Sequence, residues 1–548
     1  MRLYRFLLVM LLVAVFAAPK SFAQATPEAV QATPEAVQAT PEAVQATPQP
    51  VAISLEEAIQ IALVNNHAMR STRLDVDNAN AQVREAWGQV MPQLDVQSSY
   101  TRNLKSANPF AGSEAGGLFS SFGFIDWLSY NEKARTDSDP STNPITLDEF
   151  GDKRREGLDN AGIILGGNDN PFSVPTEVQN GLSISQTIFS GSAFAAIKGA
   201  EQLKAINRRG VDRQEQLLID NVRKAFYAAL LASERTYVAQ QSVSRIQHSL
   251  DDATRRVAQG VTPKYERLTA EVELANLQTQ LLEAQNGASG TLDNLKLQLG
   301  VPMDQPVLLR GELRADDPAG FMNISTDDAV DLALERRPDL EQARLAIKLR
   351  EIDRSLVKSR YLPALTAFAN LNYIGRVPDD RTRINSDPDD PFSFSQSTNR
   401  FFSQSYWNPS VNAGVRLTWS IFNGFQTSSQ IQQKQIAVEK AEIEHDRTIE
   451  LVRLEVQNAL RDVESARRRI QAQEQNVQKA ELNYEYASAR LSEGVASHLE
   501  ERNASEQLDI SRWNYLQAVH DFLVAKSALE TAVGASSQGS DRLKLTSN

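Results

Sequence analysis

Two short stretches carry the residue types that could do chemistry. Arg256-Val257-Ala258-Gln259-Gly260-Val261 and Arg490-Leu491-Ser492-Glu493-Gly494-Val495 each place an arginine four residues before a glycine, and Glu266 or Glu500 follows six residues after it. Glycine readily takes the left-handed backbone that ends a helix, so both stretches read as helical tips. A glycine alone marks no more than a hairpin, and most glutamates on helices are simply solvated. Recurrence of the whole pattern favours a specific contact at the tips. Carboxylates brought together there would repel one another and attract cations.

Other chemistry finds little support. Asp137 and Asp139, and Asp387, Asp389 and Asp390, lack the spacing of a calcium loop and read as solvated loop acids. His67, His248, His445, His498 and His520 are scattered without metal-ligand spacing, although His498 lies near a tip. Phe401, Phe402, Tyr406 and Trp407 read as an aromatic girdle or a packed loop. No nucleophile motif, phosphate loop or dinucleotide fingerprint occurs. The expectation is no enzyme, no cofactor and no metal, with any energy for transport supplied by a partner.

The 548 residues carry a net charge of −12, which argues against nucleic acid as the main partner. There is no cysteine, hence no disulfide, thiolate metal site or lipid-anchor cysteine. Residues 1–23 read as a signal peptide: Arg2 and Arg5 precede an apolar run that ends at Ser21-Phe22-Ala23. Residues 24–52 form a low-complexity linker in which Gln-Ala-Thr-Pro-Glu-Ala-Val repeats, and its regular prolines forbid a stable helix. No later stretch has the length of a membrane-spanning apolar helix, so any membrane insertion must use β-strands.

What positions the tips is a pair of very long helices. Phe425 to Glu493 runs for about 70 residues without glycine or proline, roughly 100 Å as one helix. Its apolar positions, among them Val452, Val456, Ala459, Val463, Ala466 and Ile470, alternate steps of three and four. Such a seam packs lengthwise against other helices. Leu218, Val222, Ala225 and Ala229 repeat it in the first half, and Arg256 against Arg490 gives the same offset of 234. Ile53-Ser54-Leu55-Glu56-Glu57-Ala58 likewise matches Ile324-Ser325-Thr326-Asp327-Asp328-Ala329 at 271. The chain is therefore a tandem duplication, with repeats at 53–301 and 324–534, a linker at 302–323 and a polar tail at 535–548.

Each repeat reads as helix, helix, strand, strand, long helix, return helix. Ser54 with Glu57 and Ser325 with Asp328 resemble capping boxes. Leu94, Val96, Ser98 and Tyr100 alternate with polar residues, as do Leu182, Ile184, Gln186 and Ile188. So do Leu365, Ala367, Ala369, Leu371 and Tyr373, and Val411, Ala413, Val415, Leu417, Trp419 and Ile421. These four strands have the length of tilted bilayer-crossing strands. The segments Asn103–Asn180 and Ile374–Ser410 read as long loops on the outer side. Four strands cannot close a barrel, and a bilayer tolerates no unpaired edge, so closure requires association. A dimer is the minimum, and a trimer would give twelve strands.

The signal peptide, the duplicated plan, Ile188-Phe189-Ser190-Gly191 matching Ile421-Phe422-Asn423-Gly424, and the Arg-x-x-x-Gly-Val tips resemble the TolC-like outer-membrane efflux proteins. The resemblance implies a mixed α and β membrane protein whose homotrimer forms a 12-stranded β-barrel, set in outer-membrane lipid and continued by a long periplasmic α-helical barrel. It implies an exit channel of a tripartite efflux system that passes small molecules when docked to a periplasmic adaptor (membrane fusion) protein and an inner-membrane pump. An ATP-driven transporter as the inner partner would make it the exit duct of a type I protein-secretion system. A periplasmic coiled-coil scaffold without a pore is the reading from another class, but such a scaffold needs no bilayer-length strand like Val411–Ile421. Carried onto this chain, the resemblance makes Arg256, Val257, Gly260, Val261, Arg490, Leu491, Gly494 and Val495 the adaptor contact, and Glu266 and Glu500 an acidic entrance gate. Positions where the family often has gate-linking polar residues read Pro263, Ala496 and Asn503.

Overall fold

The structure, a computed structural model, describes residues 51–104, 116–139, 142–163, 174–315, 324–387 and 390–535. The expected signal peptide, the linker up to residue 50, Asp389 and the tail from 536 lie outside the described residues.

In the first repeat β1 (Val51–Ile53) precedes α1 (Leu55–Asn65), α2 (His67–Gly88) and β2 (Gln93–Arg102). Helices α3 (Gly116–Thr136) and α4 (Leu147–Asn160) come before β3 (Thr176–Phe189), α5 (Gly191–Ala258) and α6 (Lys264–Leu299). After β4 (Val307–Leu309), the second repeat runs α7 (Thr326–Arg336), α8 (Pro338–Lys358), β5 (Ala364–Val377), β6 (Thr382–Ser386), β7 (Phe394–Thr398), β8 (Trp407–Thr418), α9 (Gln426–Ser492) and α10 (His498–Ala532). Among the described residues, no helix is long and apolar enough to cross a membrane.

Local sequence accounts for many ends. Ser54 and Glu57 close a full capping box at α1. At α7 Ser325 accepts from the Asp328 amide, but its hydroxyl also donates to the Asp328 carboxylate at 2.6 Å, so the aspartate makes no reciprocal bond to the backbone. The aspartate side chain is one carbon too short for that reach.

The helices pack side by side as the seams require. Near the tips the lateral order is α6–α5–α10–α9; nearer the strands it is α2–α5–α8–α9. Val222, Val452, Val456, Val463, Val519 and Phe522 are buried in one core. Helices α6 and α9 form two free edges.

The main sheet has the same property. Its order is β2-β3-β5-β8, all antiparallel, leaving β2 and β8 as edges. The register aligns Leu94, Ile184, Ala369 and Ala413 in one row and Val96, Leu182, Leu371 and Val411 in another. The opposite face aligns Asp95, Ser183, Asn370 and Asn412, then Gln97, Gly181, Asn372 and Ser410. One face is thus apolar and the other carries amides and hydroxyls. The apolar face is exposed: Leu94, Val96, Val411, Val415 and Leu417 are each at least 60% exposed.

Several expectations are corrected. β8 ends at Thr418, so Trp419 and Ile421 lie beyond the strand; the Trp419 indole donates to the Tyr361 carbonyl at 3.0 Å. The stretches 103–180 and 374–410 are not plain loops. They contain α3, α4 and the β6–β7 hairpin, and β3, β5 and β8 extend into them. α4 had a legible signal, the Thr146–Glu149 capping box. Val51 and Ala52, assigned to the linker, pair in parallel with Val307 and Leu308. Three-residue strands carry no periodicity to read.

The duplication reappears as two matched locks. In the first repeat Asn66 caps α2 and donates to the Gln298 carbonyl at 2.8 Å. In the second, Arg337 precedes α8 and donates to the Ala532 carbonyl at 3.1 Å. The offsets, Arg337 against Asn66 and Ala532 against Gln298, are the 271 and 234 read from the sequence. Gly300 and Gly534 end the return helices in left-handed geometry against these caps. A Cβ at Gly300 would come 2.5 Å from the Asn65 carbonyl oxygen, so only glycine fits. The second lock is charged: Arg337 reaches Asp339 and Glu455, each at 2.7 Å, and Arg213 approaches Asp339 at 3.6 Å.

Candidate functional site

The long helices α5 and α9 each end in the same hydrogen-bonded motif. Gly260 N–H donates to the Val257 carbonyl at 3.1 Å and Val261 N–H to the Arg256 carbonyl at 3.0 Å. At the second tip Gly494 donates to Leu491 and Val495 to Arg490, both at 3.0 Å. These are Schellman caps, which satisfy the last carbonyls of a helix and need a left-handed residue at the glycine position. Gly260 and Gly494 have φ of +73° and +75°, and nothing lies within 4 Å of where a Cβ would stand. The glycine requirement is therefore conformational and not steric.

The caps turn Val261 and Val495 outward, 72% and 65% exposed. Val257 and Leu491, one turn earlier, are half-buried against the hairpins. Each tip thus presents an apolar side chain to solvent beside an arginine. The two tips are level. Arg245 and Asp509 form an ion pair between α5 and α10, and each lies 15 residues from its tip glycine (260 − 245 and 509 − 494). Ser242 supports the pair by donating to Asp509 at 2.6 Å.

The charged residues of the two tips are not equivalent. Arg490 reaches Glu500 at 3.6 Å and the Val495 carbonyl at 3.4 Å. Arg256 instead turns back along its own helix to Asp252 at 2.8 Å. Ser497 caps α10, its hydroxyl accepting from the Glu500 amide at 3.3 Å, whereas the cap position of α6 is Pro263, which offers no side-chain cap. Both glutamates follow their glycines at the same distance, but only Glu500 meets its arginine.

Glu266 enters a groove of about 970 Å³ between α6 and α10, over α5. Its Oε2 and the Nε2 of His498 are buried there without hydrogen-bond partners. Arg502 crosses the groove to Glu273 at 3.2 Å. Burial pushes the Glu273 carboxyl above its ordinary value, against the opposing pull of Arg502. Sequence reasoning missed Asp252, Arg245, Asp509 and the part played by His498. Arg245 and Asp509 lie on helices of different hairpins, as do Glu266 and His498, and no local spacing records that.

The remaining candidates are local. Asp137 accepts from Thr142 at 2.8 Å and Asp390 from the Phe392 amide at 3.0 Å, so both brace their own loops. Phe401, Phe402 and Trp407 pack as one ring cluster at the end of β8, and Trp407 stacks on Tyr373 with centroids 5.2 Å apart. Among the described residues no group of three or more potential ligands could hold a metal ion.

Comparison with known proteins agrees with this geometry. The family described as outer membrane efflux protein matches residues 153–301 and 329–535. The alkaline protease secretion protein AprF of Pseudomonas aeruginosa is 23% identical over 358 residues, 64% of this chain and 69% of AprF. Among solved structures, the Campylobacter jejuni CmeC outer membrane channel superposes with a TM-score of 0.62 at 15% identity, covering 88% of this chain and 86% of CmeC. CusC, described with transmembrane channel formation, superposes at 0.61 and 18% identity, covering 88% and 92%. At these identities the likeness carries the fold, a mixed helical and strand channel architecture. The family matches across both repeats, and the chain belongs to the outer membrane efflux protein family.

Proposed function

We propose that three copies close into a 12-stranded barrel continued by a helical tube, forming the outer-membrane exit channel of a tripartite efflux system. The observation that carries this reading is the pair of unpaired edges, β2 and β8, on a sheet whose apolar face is exposed. In lipid such edges must pair, and pairing β8 with β2 of the next copy closes a ring. β8 spans 12 residues, about 40 Å at ~3.3 Å per residue, or roughly 30 Å of bilayer when tilted by about 40°. Trp407, Tyr373 and Phe402 stand at one end of this band. Trp419, Ile421 and Phe422 stand exposed at the other, as girdles at two membrane surfaces would. The helical side is then periplasmic, and the tips meet the adaptor through Val261, Val495, Arg256 and Arg490. Extracted protein is expected to run as a trimer in detergent and to conduct in planar bilayers. A monomer without conductance overturns the reading.

The helical edges support the same closure. On α6 Tyr265, Leu268 and Val272 form an exposed stripe, with Val261 exposed at the tip before it; on α9 Leu482 and Tyr486 are exposed. Leu482 and Val272 both lie 12 residues from their tip glycines (494 − 482 and 272 − 260), and Tyr486 and Leu268 both lie eight away (494 − 486 and 268 − 260). A rotation about the tube axis keeps heights equal, so α6 of one copy meets α9 of the next with apolar side chains opposed. Within one chain α5 and α10 separate these helices. The chain has no cysteine, so Leu268→Cys with Tyr486→Cys is expected to oxidise into covalent trimers on a non-reducing gel. Only intramolecular bonds, or none, would reject this seam.

Glu266 and Glu500 would then repeat around the tube entrance and favour cations. Changing both to glutamine is expected to weaken cation preference and divalent block. Glu500 has Arg490 beside it at 3.6 Å, so Glu266→Gln alone should give the larger shift in reversal potential. Unchanged conductance removes both from the gate.

The likeness to a secretion protein favours a second reading, the exit duct of a type I protein-secretion system. The inner-membrane partner that co-purifies with the trimer separates the two. A proton-driven pump indicates efflux of small molecules; an ATP-driven transporter indicates secretion or ATP-driven efflux.

A further inference from the structure

The first repeat carries a longer insertion than the second between its two strands, and the channel reading gives that insertion no task. α3 lies in it. The helix is graded along its axis: residues 116–128 contain one charge, Asp126, and residues 132–135 contain three, Glu132, Lys133 and Arg135. Asp126 is neutralised by Arg154 of α4 at 2.7 Å.

One side of α3 is fixed to protein. The Trp127 indole donates to the Ile145 carbonyl at 2.8 Å, and buried Asn131 bonds both the amide and the carbonyl of Ile145. The Tyr130 ring packs edge-on against Phe392, which also packs on Phe150, tying α3 and α4 to the β6–β7 hairpin. The adjoining strip is exposed: Phe124, whose ring touches Trp127 on one edge, Ile125 and Leu128 are 44%, 58% and 45% exposed. The β6–β7 hairpin that holds α3 starts five residues after β5 ends beside the ring cluster of Trp407 and Phe402 (382 − 377). The register joins Tyr100, two residues before the end of β2, to Val178, Gly375 and Trp407 across the sheet. This face is therefore tethered at the rim of the apolar band.

We propose that α3 lies in the outer leaflet of the membrane, with Phe124, Ile125 and Leu128 among acyl chains and Lys133 at the level of the lipid headgroups. Water has no favourable contact to offer three such neighbours, whereas lipid beside the band removes them from water at no cost to any paired group. A helix apolar at one end and charged at the other matches the gradient from acyl chain to headgroup. This rests on the reading that the sheet spans the bilayer with this rim outermost.

The test uses the cysteine-free full chain as a trimer in phosphatidylcholine vesicles. Ile125→Cys, Leu128→Cys and, as a reference on the apolar sheet face, Val415→Cys are labelled singly with an environment-sensitive fluorophore. Doxyl-labelled phosphatidylcholine is expected to quench the label at 125 and 128, as at 415, and aqueous iodide is expected not to. Quenching by iodide at 125 and 128 with lipid quenching at 415 overturns this proposal and leaves the barrel standing. No lipid quenching at 415 overturns the barrel reading itself. Protection from both quenchers at 125, with spin–spin broadening when nitroxides replace the fluorophore, would show that copies of α3 cover one another and would also reject the lipid assignment.

Discussion

Replacing Gly260 and Gly494 together by valine is expected to abolish export while leaving membrane insertion and trimer formation intact. Both residues hold φ near +75°, where a β-branched side chain is strongly disfavoured, at roughly 1–2 kcal/mol or more per site. The surroundings add nothing, because no atom lies within 4 Å of either Cβ position. The strain is relieved by opening the Schellman bonds, which turns Val261 and Val495 away from their outward positions. It cannot spread far, since the hairpins behind the tips are tied by Arg245 and Asp509 and by buried seams. Asparagine tolerates the left-handed region, so Gly→Asn at both sites should retain most export. Transport complementation and trimer yield, measured side by side, decide the point. Loss of insertion in the valine variant would make the glycines merely structural, and normal export would remove the tips from docking altogether.

Arg337→Met should be the most destabilising single change in the helical region. Its guanidinium is nearly fully buried and bonds Asp339, Glu455 and the Ala532 carbonyl. Removing one partner of a buried pair typically costs about 3–5 kcal/mol; here Glu455 is 49% exposed and Asp339 keeps Arg213 at 3.6 Å, so solvent and that second cation hold the loss near the lower end of that range. Asn66→Ala removes the neutral counterpart in the first repeat and should cost only about 0.5–2 kcal/mol. Lysine cannot reproduce the forked contacts, so Arg337→Lys should rescue little. Denaturation midpoints of the detergent-solubilised trimer rank the variants, and equal losses from Arg337→Met and Asn66→Ala would contradict the account.

The same network has a pH signature. Burial alone would raise the Asp339 carboxyl, but the Arg337 hydrogen bond and the charges of Arg213 and Arg337 outweigh it and hold the group below its ordinary value. A depressed carboxylate stabilises the fold fully above its unfolded pKa, about 4. That contribution is lost as pH falls through the lower folded value. Asp339→Asn should therefore flatten the acid limb of stability below about pH 4 and lower stability at neutral pH.

Much of this molecule was legible because its long elements repeat one choice many times. The seam of α9 needed only the spacing of Val452, Val456, Ala459 and Val463, and its counterpart in α5 made accident implausible. The strand faces were equally plain, since alternation in Val411 to Leu417 places every second residue on one side. Short features were not. Val307–Leu309 offers no period, and α3 mixes glycine, serine and phenylalanine in a pattern that reads as loop.

Sequence alone determined the duplication, the four strands, the two long hairpins and the glycine positions at which they turn. Those properties depend on backbone periodicity and φ preference, which are local. Only the tertiary structure decided that the two tips differ, with Arg490 closing on Glu500 while Arg256 turns to Asp252. It alone showed that one repeat is locked by a buried ion network and the other by an amide, and that α3 leaves an apolar strip exposed. These outcomes depend on which side chains from distant elements arrive within a few ångströms of one another, and no spacing along a chain encodes that distance.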